Sequence, residues 1–197
     1  MPVKTVIDLF IQICRALKYA HDNRVVHRDL RVSCSSLFSS SLYFQPDNIF
    51  MCHNFKTIKV GDFGISKQLE HTAQELSTIN ADGYPAYVAI ELYNDQKYTT
   101  SADIWSLGCI LYEMAHRRRL FAPDFISCHN FVNWENTKKK VRDYQHRQIK
   151  ETCLPKIKQL ILKCVSYKPQ DRPTAFAALN EAIDIMFNLD TDEQIET

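Results

Sequence analysis

The sequence predicts a mostly helical α+β fold with one small β-hairpin, and three features lead there. Val6, Leu9, Phe10, Ile13, Leu17 and Ala20 recur at three- and four-residue spacing, the pattern of one buried helix face. Comparable spacing returns in the second half of the chain. Only two short runs, 48–52 and 57–60, are rich in β-prone residues. At 197 residues and 45% hydrophobic content the chain suits a single domain, 1–197, with a sizeable core.

In chain order, the first helix is expected over 5–21. The two β-prone runs are separated by a turn containing His53 and Asn54, which suits a hairpin. Thr100 or Ser101 can cap a helix running through 116, with Ile104, Leu107, Gly108, Leu111 and Met114 on a buried face. Further helices are expected over 134–148, 154–166 and 174–188. The segment 31–45 is unlike the rest: it is rich in serine and aromatic residues and carries no charge after Arg31.

A formal net charge of +1, from 24 basic and 23 acidic residues, gives no overall field toward nucleic acid or an anionic membrane, so neither is expected as a partner. The basic runs 116–119 and 138–140 can dock an acidic partner or simply solvate a helix end, and runs this short usually do the latter. The seven cysteines are odd in number and never spaced as C-x-x-C, which argues against a disulfide framework or a zinc site and for reduced core thiols. No leader pattern and no run of 18 apolar residues occurs, so a cytoplasmic or nuclear setting is expected.

Five short motifs carry the chemistry. His27-Arg28-Asp29-Leu30 follows the first helix, and Asp62-Phe63-Gly64 follows the second strand. Downstream come Gly83-Tyr84-Pro85-Ala86-Tyr87-Val88-Ala89-Ile90-Glu91, then Ser101-Ala102-Asp103-Ile104-Trp105-Ser106-Leu107-Gly108, then Asp171-Arg172-Pro173-Thr174. Any isolated aspartate here reads first as a turn residue. All five in this order resemble the protein kinase family, over nearly the whole chain, and specifically its helical C-terminal lobe. Asn48-Ile49-Phe50 and Gly61-Asp62-Phe63-Gly64-Ile65-Ser66-Lys67 resemble the NIMA-related serine/threonine kinases in particular.

The resemblance implies roles. Asp29 would be the catalytic base for a substrate hydroxyl, with Arg31 close to the transferred phosphate. Asn48 and Asp62 would bind the cofactors, ATP and Mg²⁺, as oxygen ligands of the metal. The implied partner is a protein substrate bearing Ser or Thr. Arg28 would meet a phosphorylated activation loop, with Thr72, Ser77 and Thr78 as candidate sites or as plain solvated hydroxyls. Asp103 would brace the catalytic loop, and Glu91 would pair with Arg172 to tie the activation segment to the lobe.

The chain also departs from the family. The pattern puts the asparagine five residues after the aspartate, whereas Asn48 lies nineteen after Asp29; removing the fourteen residues 32–45 restores five. Its ends are compatible with splice-donor and acceptor codons, so 32–45 is expected to be a translated short intron, or else a genuine loop insertion. Arg31 replaces a lysine, Tyr84 a threonine and Ile90 a proline. No glycine-rich phosphate loop precedes the first helix, so the N-lobe is expected to be missing and this chain by itself inactive. The expected function is serine/threonine phosphorylation by the complete protein. The alternatives are a pseudokinase-like binding scaffold or a non-functional fragment of an incomplete gene model.

Overall fold

The computed structural model describes residues 1–31, 48–52, 56–61, 67–68, 85–94, 98–121 and 155–195. Helix α1 (Val3–Asp22) opens the chain and buries Val6, Leu9, Phe10, Ile13, Leu17 and Ala20, the face that the spacing predicts. It has no acidic residue in its first turn and no side-chain cap at Pro2, so packing rather than capping holds it. Asn23 ends it, with its Nδ2 donating to Tyr19 O at 2.8 Å.

Strand β1 (Val25–Val26) follows at once and pairs antiparallel with β4 (Lys67–Gln68). Sequence reading missed this ribbon, because two residues are too few to show alternation. The expected hairpin is present as β2 (Ile49–Cys52) and β3 (Thr57–Val60), with Ile49 opposite Val60 and Cys52 opposite Thr57. A two-stranded ribbon is marginal alone; this one docks on α1, with Ile49 and Ile58 in the core.

Helix α2 (Thr100–His116) is the centre of the core. The single buried face expected for it is an underestimate: 102 to 114 are all buried, Asp103 and Glu113 included. A helix enclosed on every side buries its polar residues too, and those residues then need partners. The cap also differs. The N-cap is Thr99, in extended conformation and without a side-chain cap bond, rather than Thr100 or Ser101. At the other end Arg117 adopts a left-handed φ of 56° and donates its N–H to Glu113 O at 2.8 Å. The basic run 116–119 serves this helix end: the His116 ring stacks on buried Tyr112 at 4.1 Å, and Arg118 Nε donates to Tyr112 Oη at 3.1 Å.

Helices α3 (Pro155–Cys164) and α4 (Ala175–Ile195) complete the described fold. Thr174, expected inside the last helix, caps it instead, its Oγ1 accepting from Ala177 N at 3.1 Å. The helix also runs on past 188. α4 lies antiparallel to α1, because Lys4 pairs with Asp190 at 2.9 Å near one end while the Lys18 ammonium sits over Phe176 at 5.7 Å near the other. The expected helix over 134–148 and the segment 32–45 lie outside the described residues. Cys14, Cys109 and Cys164 are buried free thiols. Burial is the largest cause raising all three, and it pushes the Cys164 thiol up to about 12. Buried and protonated, they are poor nucleophiles. No described helix is long and apolar enough to cross a membrane.

Gly108 lets α2 and α3 approach closely. A Cβ there would lie 2.7 Å from Cys164 Cβ and 2.8 Å from Val165 Cγ1. Gly108→Ala gains roughly 1 kcal/mol of helix propensity, whereas forced overpacking costs about 1–3 kcal/mol. We expect overpacking to win and the urea midpoint to fall; a midpoint raised by the substitution would mean that the helices can part without cost.

Candidate active site

The site begins where α1 ends. After β1 the chain enters the loop 27–31, and a buried carboxylate on α2 shapes it. Asp103, 1% exposed, accepts from His27 N at 2.8 Å and from Arg28 N at 2.9 Å, one bond to each oxygen. His21 Nε2 donates to the same carboxylate at 2.9 Å. Three donors around one ionised group satisfy it inside a core where an unpaired charge would be costly.

This brace holds an unfavourable backbone. Arg28 has φ of 76°, a left-handed conformation that costs a non-glycine residue roughly 1–2 kcal/mol. Its carbonyl accepts from Tyr98 Oη at 3.2 Å, and its guanidinium lies over the Tyr98 ring at 4.9 Å. Burial is the main cause raising the Tyr98 phenol to about 12, against the opposing pull of Arg28, so it stays protonated and able to donate. Neither His21 nor Tyr98 stood out in the sequence. The only signal was generic: a buried ring with a polar tip usually finds a partner.

His27 links loop and hairpin. Its Nε2 lies 3.0 Å from Gly61 O, and a carbonyl only accepts, so Nε2 carries the proton. Nδ1 is then the acceptor facing Asp29 N at 3.4 Å.

Three of the four expected site residues come together. Asn48 Nδ2 donates to Asp29 O at 2.5 Å and to Asp29 Oδ2 at 2.6 Å. Arg31 Nε stands 3.4 Å from the same Oδ2. Asp62 lies outside the described residues, immediately after Gly61, whose N–H donates to Asn48 O at 2.9 Å. Thr72, Ser77, Thr78 and Tyr84 also lie outside them.

Asn48 is 1% exposed, and its Oδ1 is buried without a hydrogen-bond partner among the described residues. Orphaned buried acceptors are uncommon and cost about 1–3 kcal/mol. A hard divalent cation would satisfy this oxygen, which therefore fits the expected metal role. Among the described residues no group of three His, Cys, Asp or Glu could hold a metal by itself.

Asp29 and Arg31 line a cleft with Tyr87, Val88, Ala89 and Tyr98. One wall is the segment 85–94, pinned at three points, two on α2 and one on Arg172 between α3 and α4. Ser106 Oγ donates to Tyr87 O at 2.8 Å, and Tyr87 Oη donates to the Glu113 carboxylate. Burial and Glu113 push the Tyr87 phenol up. The third point is the expected ion pair. Arg172 Nη1 and Nη2 donate to Glu91 Oε1 and Oε2, both at 2.7 Å, while Arg172 Nε donates to Ser166 O at 2.8 Å. The Arg172 guanidinium also lies over Trp105 at 4.9 Å. Ile90, in the place of a proline, is buried at the start of the 3₁₀ turn Ile90–Asn94 and still leaves Glu91 within reach of Arg172.

Comparison with known proteins agrees with this geometry. The family profile described as the protein kinase domain matches residues 1–183. The chain is similar to serine/threonine-protein kinase Nek8 of Danio rerio, 30% identical over 190 residues, covering 95% of this chain and 24% of that protein. It is also similar to serine/threonine-protein kinase Nek4 of Mus musculus, at 28% over 181 residues, covering 92% of this chain and 20% of that protein. Serine/threonine-protein kinase nekl-2 of Caenorhabditis elegans is 39% identical over 120 residues, covering 61% and 29%. The chain spans a quarter or less of the length of the first two relatives. With its braced loop 27–31, its Glu91–Arg172 pair and these relatives, the chain belongs to the protein kinase family, among the NIMA-related serine/threonine kinases.

Proposed function

We propose that residues 1–197 form the helical lobe of a protein serine/threonine kinase, with an insert at 32–45, and that the whole protein transfers the γ-phosphoryl group of ATP to Ser or Thr hydroxyls of other proteins. The observation that carries this reading is the Asp29–Asn48 contact, with Asn48 Oδ1 buried and without a partner among the described residues. We place the protein in the cytoplasm or nucleus.

When bound, Mg²⁺ and ATP supply the transferable phosphoryl group and neutralise its charge. Asp29 orients the acceptor hydroxyl. Its Oδ2 is engaged by Asn48 Nδ2 and faces Arg31, so among the described residues Oδ1 is the atom left to take the hydroxyl proton. Arg31 brings a fixed positive charge to the cleft, as a planar fork rather than a compact ammonium. Asn48 Oδ1 and the Asp62 carboxylate would hold the metal. Tyr87, Val88 and Ala89 face the incoming segment of the substrate.

Phosphate transfer from labelled ATP to a Ser/Thr peptide library tests the proposal in the whole protein. Asp29→Asn keeps the shape and removes the proton acceptor, so transfer should fall by about 10²–10⁴-fold. Transfer unchanged by that substitution would reject Asp29 as the base.

A further inference from the structure

Away from the cleft, one side chain bonds the two elements that converge there. Gln12 on α1 accepts from Ile58 N at 2.8 Å through Oε1 and donates to Lys56 O at 3.0 Å through Nε2, which also donates to Asp8 Oδ2 at 2.9 Å. Ile58 and Lys56 alternate along the chain, so both bonds fall on one edge of β3. The other edge faces β2, with Met51 opposite Ile58. A single carboxamide thus gives β3 the pair of bonds that a further strand would give.

The two arms of the hairpin lead to Asn48 and Gly61, joined by the Gly61 N–H bond to Asn48 O at 2.9 Å, with Asp62 next in the chain. α1 leads through β1 into the loop that bears Asp29. Gln12 therefore bonds the element that delivers the base to the element that delivers the metal ligands, ~10 Å along the strand from Gly61. Apolar packing of Ile58 on α1 holds the two together but is non-directional, so by itself it does not fix how far the hairpin slides. Hydrogen bonds have direction and length, and these two fix it.

We propose that Gln12 is a positioning residue which sets the depth of the β2–β3 hairpin on α1, and thereby the place of Asn48 Oδ1 beside the Asp29 carboxylate. Its consequence for metal binding rests on the kinase reading; its geometry does not.

Hydrogen exchange followed by NMR on the full chain tests it, read at the Gly61 backbone amide and the Asn48 side-chain amide. Gln12→Leu should speed exchange at both by about tenfold while amides of α2 stay within about twofold of wild type. Gln12→Glu keeps an acceptor for Ile58 N and should recover part of the protection. It also carries the test should the leucine variant fail to fold. Ala182→Gly in α4 is the control for general loss of stability, and it should not single out Gly61 and Asn48. Unchanged protection in Gln12→Leu, or a loss spread over all amides as in the control, would overturn the proposal. In the whole protein Gln12→Leu should raise the Mg²⁺ requirement for phosphate transfer about tenfold with the peptide KM unchanged. If the exchange pattern appears but Asp29→Asn leaves transfer intact, the positioning role stands and the kinase reading falls.

Discussion

Arg172→Ala is expected to cost about 3–5 kcal/mol of folding stability, the usual effect of removing one partner from a buried ion pair. Glu91 and Arg172 are 4% and 7% exposed, so the substitution leaves a buried carboxylate without its bidentate partner. The same substitution releases Ser166 O and Ser101 O and strips the cation from the face of Trp105. A typical domain is stable by about 5–15 kcal/mol, so about a fifth or more of the total is at stake. Urea unfolding should register it as a large drop in midpoint at constant slope. A paired replacement by apolar residues, Glu91→Leu with Arg172→Met, should restore most of the loss, because it is the orphaned charge that is costly rather than the absence of the pair. A drop below about 1 kcal/mol in the single variant would show that the carboxylate escapes to solvent.

Asp103→Ala is the second large effect, and it reaches the site directly. It leaves His27 N–H and Arg28 N–H without their acceptor and His21 without its partner. Each buried donor left unsatisfied costs about 1–3 kcal/mol, so about 2–6 kcal/mol is expected from the two backbone donors. The left-handed turn at Arg28 then has less to hold it and should relax, carrying Asp29 away from Asn48. Fast hydrogen exchange at His27 and Arg28, together with weakened phosphate transfer by the whole protein, is the expected result. Exchange at those two amides as slow as in wild type would mean that another group has taken over the carboxylate's task.

The helices were legible in the sequence wherever one face meets solvent, because only then does polarity alternate with the helical period. α1, whose six periodic apolar positions are all buried, shows this. α2 hid half its burial for the opposite reason: enclosed on all sides, it has no polar face to mark the inner one. The hairpin was legible from two β-prone runs and a turn, whereas β1 and β4 gave no periodicity over two residues each. Within the site, Asp29, Arg31 and Asn48 were read from motif order across a fourteen-residue interruption, and the fold brings them together. His21, Tyr98, Gln12 and the Tyr87–Glu113 bond were not read. Each acts through a contact distant in sequence, which local spacing does not encode.

Mn²⁺ is a paramagnetic substitute for Mg²⁺, and adding it with ATP to the protein while watching amide resonances probes the convergence of oxygen ligands on one cation. Signals of Asn48 and Asp62 are expected to broaden first, those of Asp29 with them, and Asn48→Leu is expected to weaken the effect by about tenfold or more. Broadening centred elsewhere in the chain, or undiminished in Asn48→Leu, would contradict it.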